Sequence, residues 1–338
     1  MKKFITSIAL LSLMAFTSAP IDSFVSEKTL QKTGYGEKKM KKAPKKVFIN
    51  SFFVNYQLVA GARASSATGS SKTGMTVALD GVDSDQLQEV TNKAYQRFVK
   101  KLQDNGYQII LADEAGKVEV FADWEKVQGG TPSKAQLTGY LSTAPADYEF
   151  FVKRITKKGK NKRNFLDNAP KLSKQLDDAV VFEGAFNFQY VELDASSNYL
   201  VESTKVKAKV NFKMPASAVA QSEKGLLGQG SVATSPTIAR FVYKGKAAGL
   251  GAESMIAYSP KKDIEIPGVI EKKKFKEYTA NPNHPYSTPS YYGVMMEKDV
   301  KVSHRVQADT EAYLKSAEES LNAYLDFMLE RFLESAAG

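Results

Sequence analysis

The two histidines are the first residues to test for catalysis, because a Ser–His–Asp triad would have to use one of them. His284 lies in the Pro- and Tyr-rich segment 282–293, which predicts a loop, and His304 lies in a segment whose alternation predicts a strand. A loop is the better position for a functional histidine. No Gly-x-Ser-x-Gly elbow is present to supply a nucleophile. We therefore keep a candidate loop site without an assigned reaction, formed by His284, Tyr286, Tyr291 and Tyr292.

Three glycine-containing segments resemble nucleotide-binding motifs without matching them. GSSKT at 69–73 lacks the adjacent Gly-Lys-Ser/Thr of a phosphate loop, in which backbone amides and the lysine converge on one phosphate. GLGAES at 249–254 ends in Ser254, where a dinucleotide fingerprint needs Gly or Ala, and the glycines of 225–230 have the wrong order. We expect turns at these glycines.

The composition removes most of the remaining chemistry. The 338-residue chain has no cysteine and two histidines, which excludes disulfides, thiolate zinc sites and cysteine nucleophiles. Asp123 and Glu125 flank the only tryptophan, but a glycosidase needs a second, separately placed carboxylate. We expect no cofactor and no bound metal, and we favour a non-enzymatic function. A secreted hydrolase acting on glycan or ester, through a site that the sequence does not locate, is the alternative.

Residues 1–19 have the pattern of a secretory signal peptide. Lys2 and Lys3 precede an apolar stretch that is too short to span a bilayer, and small residues follow at 17–19. A buried N-terminal helix is the alternative. We expect a periplasmic or secreted protein that is not integral to the membrane, cleaved between residues 18 and 24 and not lipidated. N-terminal sequencing of exported protein that returned Met1 would contradict this prediction.

Basic residues are concentrated in two segments of a chain with net charge +10. Residues 28–46 carry eight lysines against one Glu, and we interpret them as a mobile basic linker. Residues 153–174 carry nine Lys and Arg against one Asp, and we interpret them as an exposed insertion. Such clusters can bind phosphate backbones, anionic lipid or acidic glycans, or can simply be solvated. The candidate anion-binding residues are Lys157, Lys158, Lys160, Lys162 and Arg163.

The N-terminal half predicts a β-(loop)-β-α-β unit that would position these groups. The elements are a central strand at 45–60, a loop or weak hairpin at 61–74, a short strand at 75–79, a helix at 83–105 and a strand at 107–112. Asp83 and Gln86 have capping-box spacing at the start of the helix, and Gly106 ends it. We also expect a strand at 118–124 and a loop with a short helix at 129–147.

The C-terminal half predicts a long antiparallel hairpin from 180–193 and 199–214, with a break at 194–198. Apolar and polar residues alternate along 206–214 with the period of a half-buried strand. The apolar set is Val206, Ala208, Val210, Phe212 and Met214, and the polar set is Lys207, Lys209, Asn211 and Lys213. Further strands at 238–243 and 300–306 and a helix at 309–334 complete an α/β (α+β) fold with a mixed sheet and a C-terminal packing helix.

The strand KVFINSFFV at 46–54, the Gly/Ser loop, the helix and NGYQIILAD at 105–113 together resemble the curli-secretion-channel (CsgG-like) family and its relatives, the TolB N-terminal domain and FlgT. The resemblance is closest over 47–112 and implies a periplasmic α/β domain with a role in envelope assembly and no catalytic residues. The curli channels carry a lipidated cysteine, which this chain lacks. Their pore hairpins face lipid with alternating apolar residues, whereas 206–214 presents lysines on one side, which argues against pore formation.

These observations predict a basic linker at 20–46 and a single α/β domain at 47–338 with a lysine-rich insertion near 153–174. The preferred function is a non-enzymatic binding or assembly protein of the cell envelope. Its partner would be an envelope protein or an anionic envelope surface rather than nucleic acid, and a homo-oligomer is left open. A second alternative to this function is an anionic-surface binder that acts through the lysine-rich segments.

Overall fold

The computed structural model describes residues 25–65, 71–162, 167–198, 203–217, 220–222, 231–233, 237–246, 251–270, 274–279 and 302–337. The α-helices are α1 (Ser84–Asp104), α2 (Ala112–Ala115), α3 (Ala169–Gln175) and α4 (Thr310–Ala337), and 3-10 helices span Glu37–Lys42 and Glu119–Phe121. The strands are β1 (Leu30–Lys32), β2 (Lys46–Gln57), β3 (Val59–Ser65), β4 (Lys72–Asp80), β5 (Gln108–Ile110), β6 (Glu125–Gln128), β7 (Tyr140–Thr143), β8 (Glu149–Val152), β9 (Arg154–Ile155), β10 (Asn161–Lys162), β11 (Val180–Asn198), β12 (Ser203–Met214), β13 (Ala220–Ser222), β14 (Ser231–Ala233), β15 (Ile238–Gly245), β16 (Ala252–Pro260), β17 (Ile264–Glu265), β18 (Lys274–Thr279) and β19 (His304–Gln307). The predicted signal peptide at 1–19 lies outside these residues.

Strand β2 occupies the centre of a mixed sheet, as its apolar composition predicts. It pairs in parallel with β11 on one side, and with parallel β5 and antiparallel β7 on the other. Beyond β11 the sheet continues through antiparallel β15, β16 and β1. Strands buried on both faces tolerate nearly continuous apolar runs. The predicted α/β fold class is confirmed.

Helices cover both faces of this sheet, but on one face they cover only part of it. Helices α1 and α4 pack together and belong to the large core on the first face, where Phe98 and Phe182 have ring centroids 4.6 Å apart and Phe332 stacks on Phe241 at 4.1 Å. On the second face α2 and α3 form a smaller core around Phe48. Farther along β2 and β11 this second face is left to β6, β8 and the loops near them.

Helix α1 confirms the predicted boundaries. Asp83 is its N-cap, and the reciprocal capping box with Gln86 is present. Gly106 has φ +81°, a conformation in which side chains are disfavoured, so the chain turns there. Helix α4 confirms the predicted terminal helix, and the residues of its apolar face are buried, namely Tyr313, Ala317, Leu321, Tyr324, Met328 and Phe332.

Strand β11 is long enough to belong to two sheets. Its first half pairs with β2, and its second half forms the predicted antiparallel hairpin with β12, which also pairs with β17 and β18. The inner face of this second sheet packs on a three-stranded sheet of β3, β4 and β19, where Thr204 Oγ1 lies 2.7 Å from Thr73 Oγ1. The predicted alternation is confirmed at Val206, Ala208 and Val210, which are buried.

Several predictions about the strands and loops are wrong. The predicted break at 194–198 is continuous strand, because β11 runs to Asn198. Residues 118–124 contain a 3-10 helix instead of a strand, and residues 129–147 contain β7 instead of a short helix. The hairpin interpretation of 61–74 is confirmed by the pairing of β3 with β4. Lys213 and Asn211 are buried although they belong to the polar set of β12.

The mobile-linker interpretation of residues 28–46 is also wrong. Strand β1 pairs with β16 inside the main sheet, and the following 3-10 helix contacts α4 and β16. Leu30 and Met40 are fully buried in the large core, while the lysines around them are mostly exposed. Two apolar anchors therefore hold a segment whose composition resembles a linker.

Candidate functional site

The predicted basic insertion begins with a hairpin, which we call the lysine hairpin (residues 153–162). Strands β9 and β10 pair antiparallel, and the turn between them is closed by bonds from Gly159 N to Thr156 O at 2.8 Å and from Thr156 N to Lys160 O at 3.0 Å. Gly159 has φ +76°, which a residue with a side chain would adopt only at a cost. The exposure predicted for this part of the insertion is correct, but residues 169–175 form α3, whose Leu172 is buried.

The ten residues of the lysine hairpin include six cations and no acid. Lys153 is paired with Asp123, but among the described residues Lys157, Lys158 and Lys162 form no ion pair, and all three are exposed. Other lysines of the protein are matched with acids, as Lys126 is with Asp113 and Glu149. The hairpin therefore presents positive charge that the described residues do not neutralise.

A groove of about 240 Å³ lies beside the hairpin, on the part of the sheet face that the helices leave open. We call it the amide groove. Asn55 Nδ2 donates to Asn187 Oδ1 at 2.9 Å, and Ser142 Oγ donates to Asn55 Oδ1 at 2.6 Å, so polar groups of three neighbouring strands form a row. The lining residues are Phe53, Asn55, Gln136, Leu137, Ser142, Phe150, Val152, Asn161, Ala185 and Asn187.

Gln136 joins the amide groove to the lysine hairpin. Its Nε2 donates to Gly159 O at 2.9 Å, and its Oε1 accepts from Asn161 N at 2.8 Å. The same Nε2 also contacts Ser133 Oγ at 3.1 Å in the loop before β7. These bonds brace the hairpin against the body of the protein, so its charges are held in place instead of sampling a wide volume.

A second basic surface lies on the outer side of the β11–β12–β18 sheet, and we call it the lysine face (Lys205, Lys207, Lys209 and Lys276). The three β12 lysines alternate with buried residues, and Lys276 lies directly opposite Lys207 in the register of β18. The pKa of Lys205 is lowered, mainly by the positive charge of Lys207 and then by desolvation, with Lys276 adding to the effect and Asp194 opposing it. Like charges are therefore close enough to repel each other.

Sequence reasoning identified Lys207 and Lys209 as a solvent-facing set but did not recognise a site there. The signal that could have found it is the run KKKFK at 272–276, which has the same period-two spacing of lysines over 274–276. Strand β18 is separated from β12 by about 60 residues, so their pairing could not be read from either segment alone.

The other candidate residues give no catalytic arrangement in the described part of the chain. His304 begins β19, where Ser303 Oγ lies 3.0 Å from its Nδ1. Trp124 packs edge-on against Phe121, and the neighbouring Asp123 is held by Lys153, which agrees with a structural role for Asp123. The loop site of His284, Tyr286, Tyr291 and Tyr292 lies outside the described residues, as does Arg163.

The phosphate-loop resemblance at 69–73 is contradicted by the fold, because Lys72 and Thr73 belong to strand β4 and Thr73 is buried against Thr204. Within the described ranges no three His, Cys, Asp or Glu residues are grouped as a metal site would need. None of the helices in those ranges combines the length and apolarity needed to cross a bilayer.

A further cleft of about 260 Å³ lies between the end of β4 and the start of α1. Its acids already have structural partners: Asp83 accepts from Asp85 N at 2.8 Å as the N-cap, and Asp80 accepts from Arg305 at 2.7 Å. Burial raises the pKa of Tyr140, which lines the cleft and whose hydroxyl accepts from Gln189. A phenol held neutral in this way is not a general base at neutral pH, so we assign the cleft no chemistry.

We compared the chain with protein-family models, with curated proteins and with solved structures, and none of the three comparisons gave a match.

Proposed function

We propose that this protein is a non-enzymatic binding protein of the cell envelope that contacts an anionic polymer or surface through the lysine hairpin. The observation that carries the proposal is the concentration of cations on a braced hairpin, where Lys157, Lys158 and Lys162 form no ion pair with a described residue. The periplasmic or secreted setting rests on the pattern of residues 1–19.

The expected binding energy comes from several weak contacts. An exposed lysine–anion pair contributes at most about 1 kcal/mol, so affinity requires that several pairs form together. Bracing by Gln136 reduces the entropy that must be lost when these pairs form. Exposed charges are screened over about 8 Å at physiological ionic strength, so binding should weaken steeply with salt.

The test removes the charge of the hairpin. The variant replaces Lys157, Lys158, Lys160, Lys162 and Arg163 by Ser. We expect it to lose binding to an acidic polysaccharide and to vesicles containing anionic lipid, while its melting temperature stays close to that of the wild type because Lys157, Lys158 and Lys162 are exposed. Binding is measured by co-sedimentation at low and at physiological salt.

A matched variant separates the local cluster from the net charge of the chain. It replaces five exposed lysines outside the hairpin by Ser, namely Lys38, Lys41, Lys93, Lys100 and Lys117. This variant has the same net charge as the hairpin variant and should keep most of its binding. Retained binding in the hairpin variant, or absence of binding by the wild type at low salt, would overturn the proposal.

A further inference from the structure

Two parts of the same strand, β11, adjoin the amide groove beside the lysine hairpin and the lysine face. Ala185 and Asn187 line the amide groove next to the hairpin. Farther along β11, a bulge between Gln189 and Val191 shifts the register. Tyr190 and Val191 are therefore both buried. The bulge returns the exposed residues beyond it, such as Asp194, to the side that carries Asn187.

The length of β11 between the amide groove and the lysine face follows from strand geometry. Ala185 and Asp194 are nine positions apart, and Asp194 lies opposite Lys207 in the hairpin with β12. At about 3.3 Å per residue this is roughly 30 Å. The uncharged amide groove lies near the first end of this interval, and the lysine face on β12 and β18, with Glu192 and Asp194 of β11 beside it, lies near the other end.

The lysine face keeps an excess of positive charge, because its four lysines outnumber the two acids that lie opposite them on β11. Glu192 and Asp194 are the acids opposite its lysines on β11, but Glu192 is engaged by Lys213 at 3.0 Å, and Asp194 forms no ion pair with a described residue. Like charges directly opposite each other in a sheet, as Lys207 and Lys276 are, destabilise the pairing. An anion bound across them would relieve that repulsion.

We propose that the ligand is a linear anionic polysaccharide that lies along this side of β11 and contacts both the lysine hairpin and the lysine face. This inference rests on the proposed function and extends it to a ligand class and a second contact surface. The recessed groove favours a chain polymer over a bilayer. A narrow chain can enter and follow a groove of 240 Å³, whereas a flat headgroup surface would lie across the groove without contacting its lining. The amides and the hydroxyl of Ser142 supply the few placed polar groups that a sugar needs for orientation.

Contact at two sites by one chain makes affinity depend on ligand length. Once the first site is occupied, the second contact is intramolecular, and the gain disappears for a chain too short to span both sites. We therefore expect wild-type affinity for oligogalacturonates to rise at least about tenfold when the oligomer becomes long enough to span roughly 30 Å.

The decisive variant replaces Lys205, Lys207 and Lys209 by Ser. It should bind short oligogalacturonates as the wild type does and should lose the tenfold gain for long ones, measured by calorimetry at fixed salt. A variant with Lys38, Lys41 and Lys93 replaced by Ser has the same net charge and should keep the length dependence. The melting temperatures of all variants show whether the sheet is intact.

The outcomes separate this inference from the proposed function. An unchanged length dependence in the lysine-face variant would overturn the inference, and so would binding to anionic vesicles without binding to oligogalacturonate. In both cases a loss of binding in the hairpin variant would still support the proposed function. Retained binding in the hairpin variant would overturn the proposed function and this inference with it.

Discussion

Replacing Val210 by Asp is expected to lower the free energy of unfolding by about 3–5 kcal/mol, the scale of burying an unpaired charged group. Val210 is 1% exposed and lies on the inner face of β12, where the two sheets pack together. A carboxylate there would lose its hydration without gaining a cationic partner. Urea unfolding followed by circular dichroism should show a strongly reduced midpoint.

The neighbouring residue supplies the control for this prediction. Lys209 is exposed on the opposite face of the same strand, so Lys209→Ser should change the free energy of unfolding by no more than about 0.5 kcal/mol. Equal shifts of the two midpoints would show that the faces of β12 are assigned incorrectly.

The elements that could be predicted from the sequence are those whose own pattern decides their structure. Helix α1 carries a capping box, an apolar face and a glycine stop within one segment, and residues 206–214 of β12 alternate between apolar and polar residues. Local signals of this kind do not depend on what packs against them. The sequence also located the lysine hairpin, because its charge is contained in one short segment.

The incorrect predictions concern segments whose structure depends on distant partners. Residues 28–46 were interpreted from their lysines, whereas two buried side chains, Leu30 and Met40, decide that the segment packs. Val120 and Phe121 are consecutive apolar residues that are both buried, and a short run of this kind does not distinguish a strand from a helical turn. The row of polar groups in the amide groove joins Asn55 to Asn187, which are 132 residues apart, so no local pattern could predict it.

Lys213 lies on the outer, polar face of β12, as its position in the alternating pattern predicts, and its side chain is nevertheless buried. It belongs to the polar set of β12, but its side chain is only 7% exposed. Its ammonium lies 3.0 Å from Glu192 Oε2 and 2.5 Å from Asp263 Oδ2, and Asp263 also accepts from Ala216 N at 2.9 Å. The turn that carries Asp263 covers this end of the strand, which the spacing of residues 206–214 could not indicate.

Replacing Asp263 by Ala is therefore expected to destabilise the protein by about 2 kcal/mol at pH 7. The loss of one partner leaves a buried ammonium with Glu192 alone, and removing one member of a buried ion pair is strongly destabilising. This destabilisation is smaller than the loss that is typical for breaking a fully buried ion pair. The reason is that the Asp263 side chain is itself 36% exposed, so water partly screens its interaction with Lys213. Urea midpoints of the two proteins measure the difference.

The pH dependence of this difference gives the prediction a second, independent measurement. Burial alone would raise the pKa of Asp263, but hydrogen bonds from Lys213 and from Ala216 N–H, together with the Lys213 charge, outweigh burial and hold the pKa below its usual value of 3.8. A carboxyl with a lowered folded-state pKa contributes stability that is present above its unfolded pKa and is lost as pH falls through the folded pKa. The gap between wild type and Asp263→Ala should thus be full at pH 7 and should shrink below about pH 4.

The double variant Lys213→Met with Asp263→Ala separates a lost ion pair from a lost turn. Methionine removes the buried charge and keeps most of the apolar stem, and replacing a buried ion pair by apolar groups is often close to neutral. We expect the double variant to recover at least half of the stability that Asp263→Ala loses. A double variant as unstable as Asp263→Ala, with a gap to wild type that does not change with pH, would mean that Asp263 acts through its bond to Ala216 N and not through Lys213.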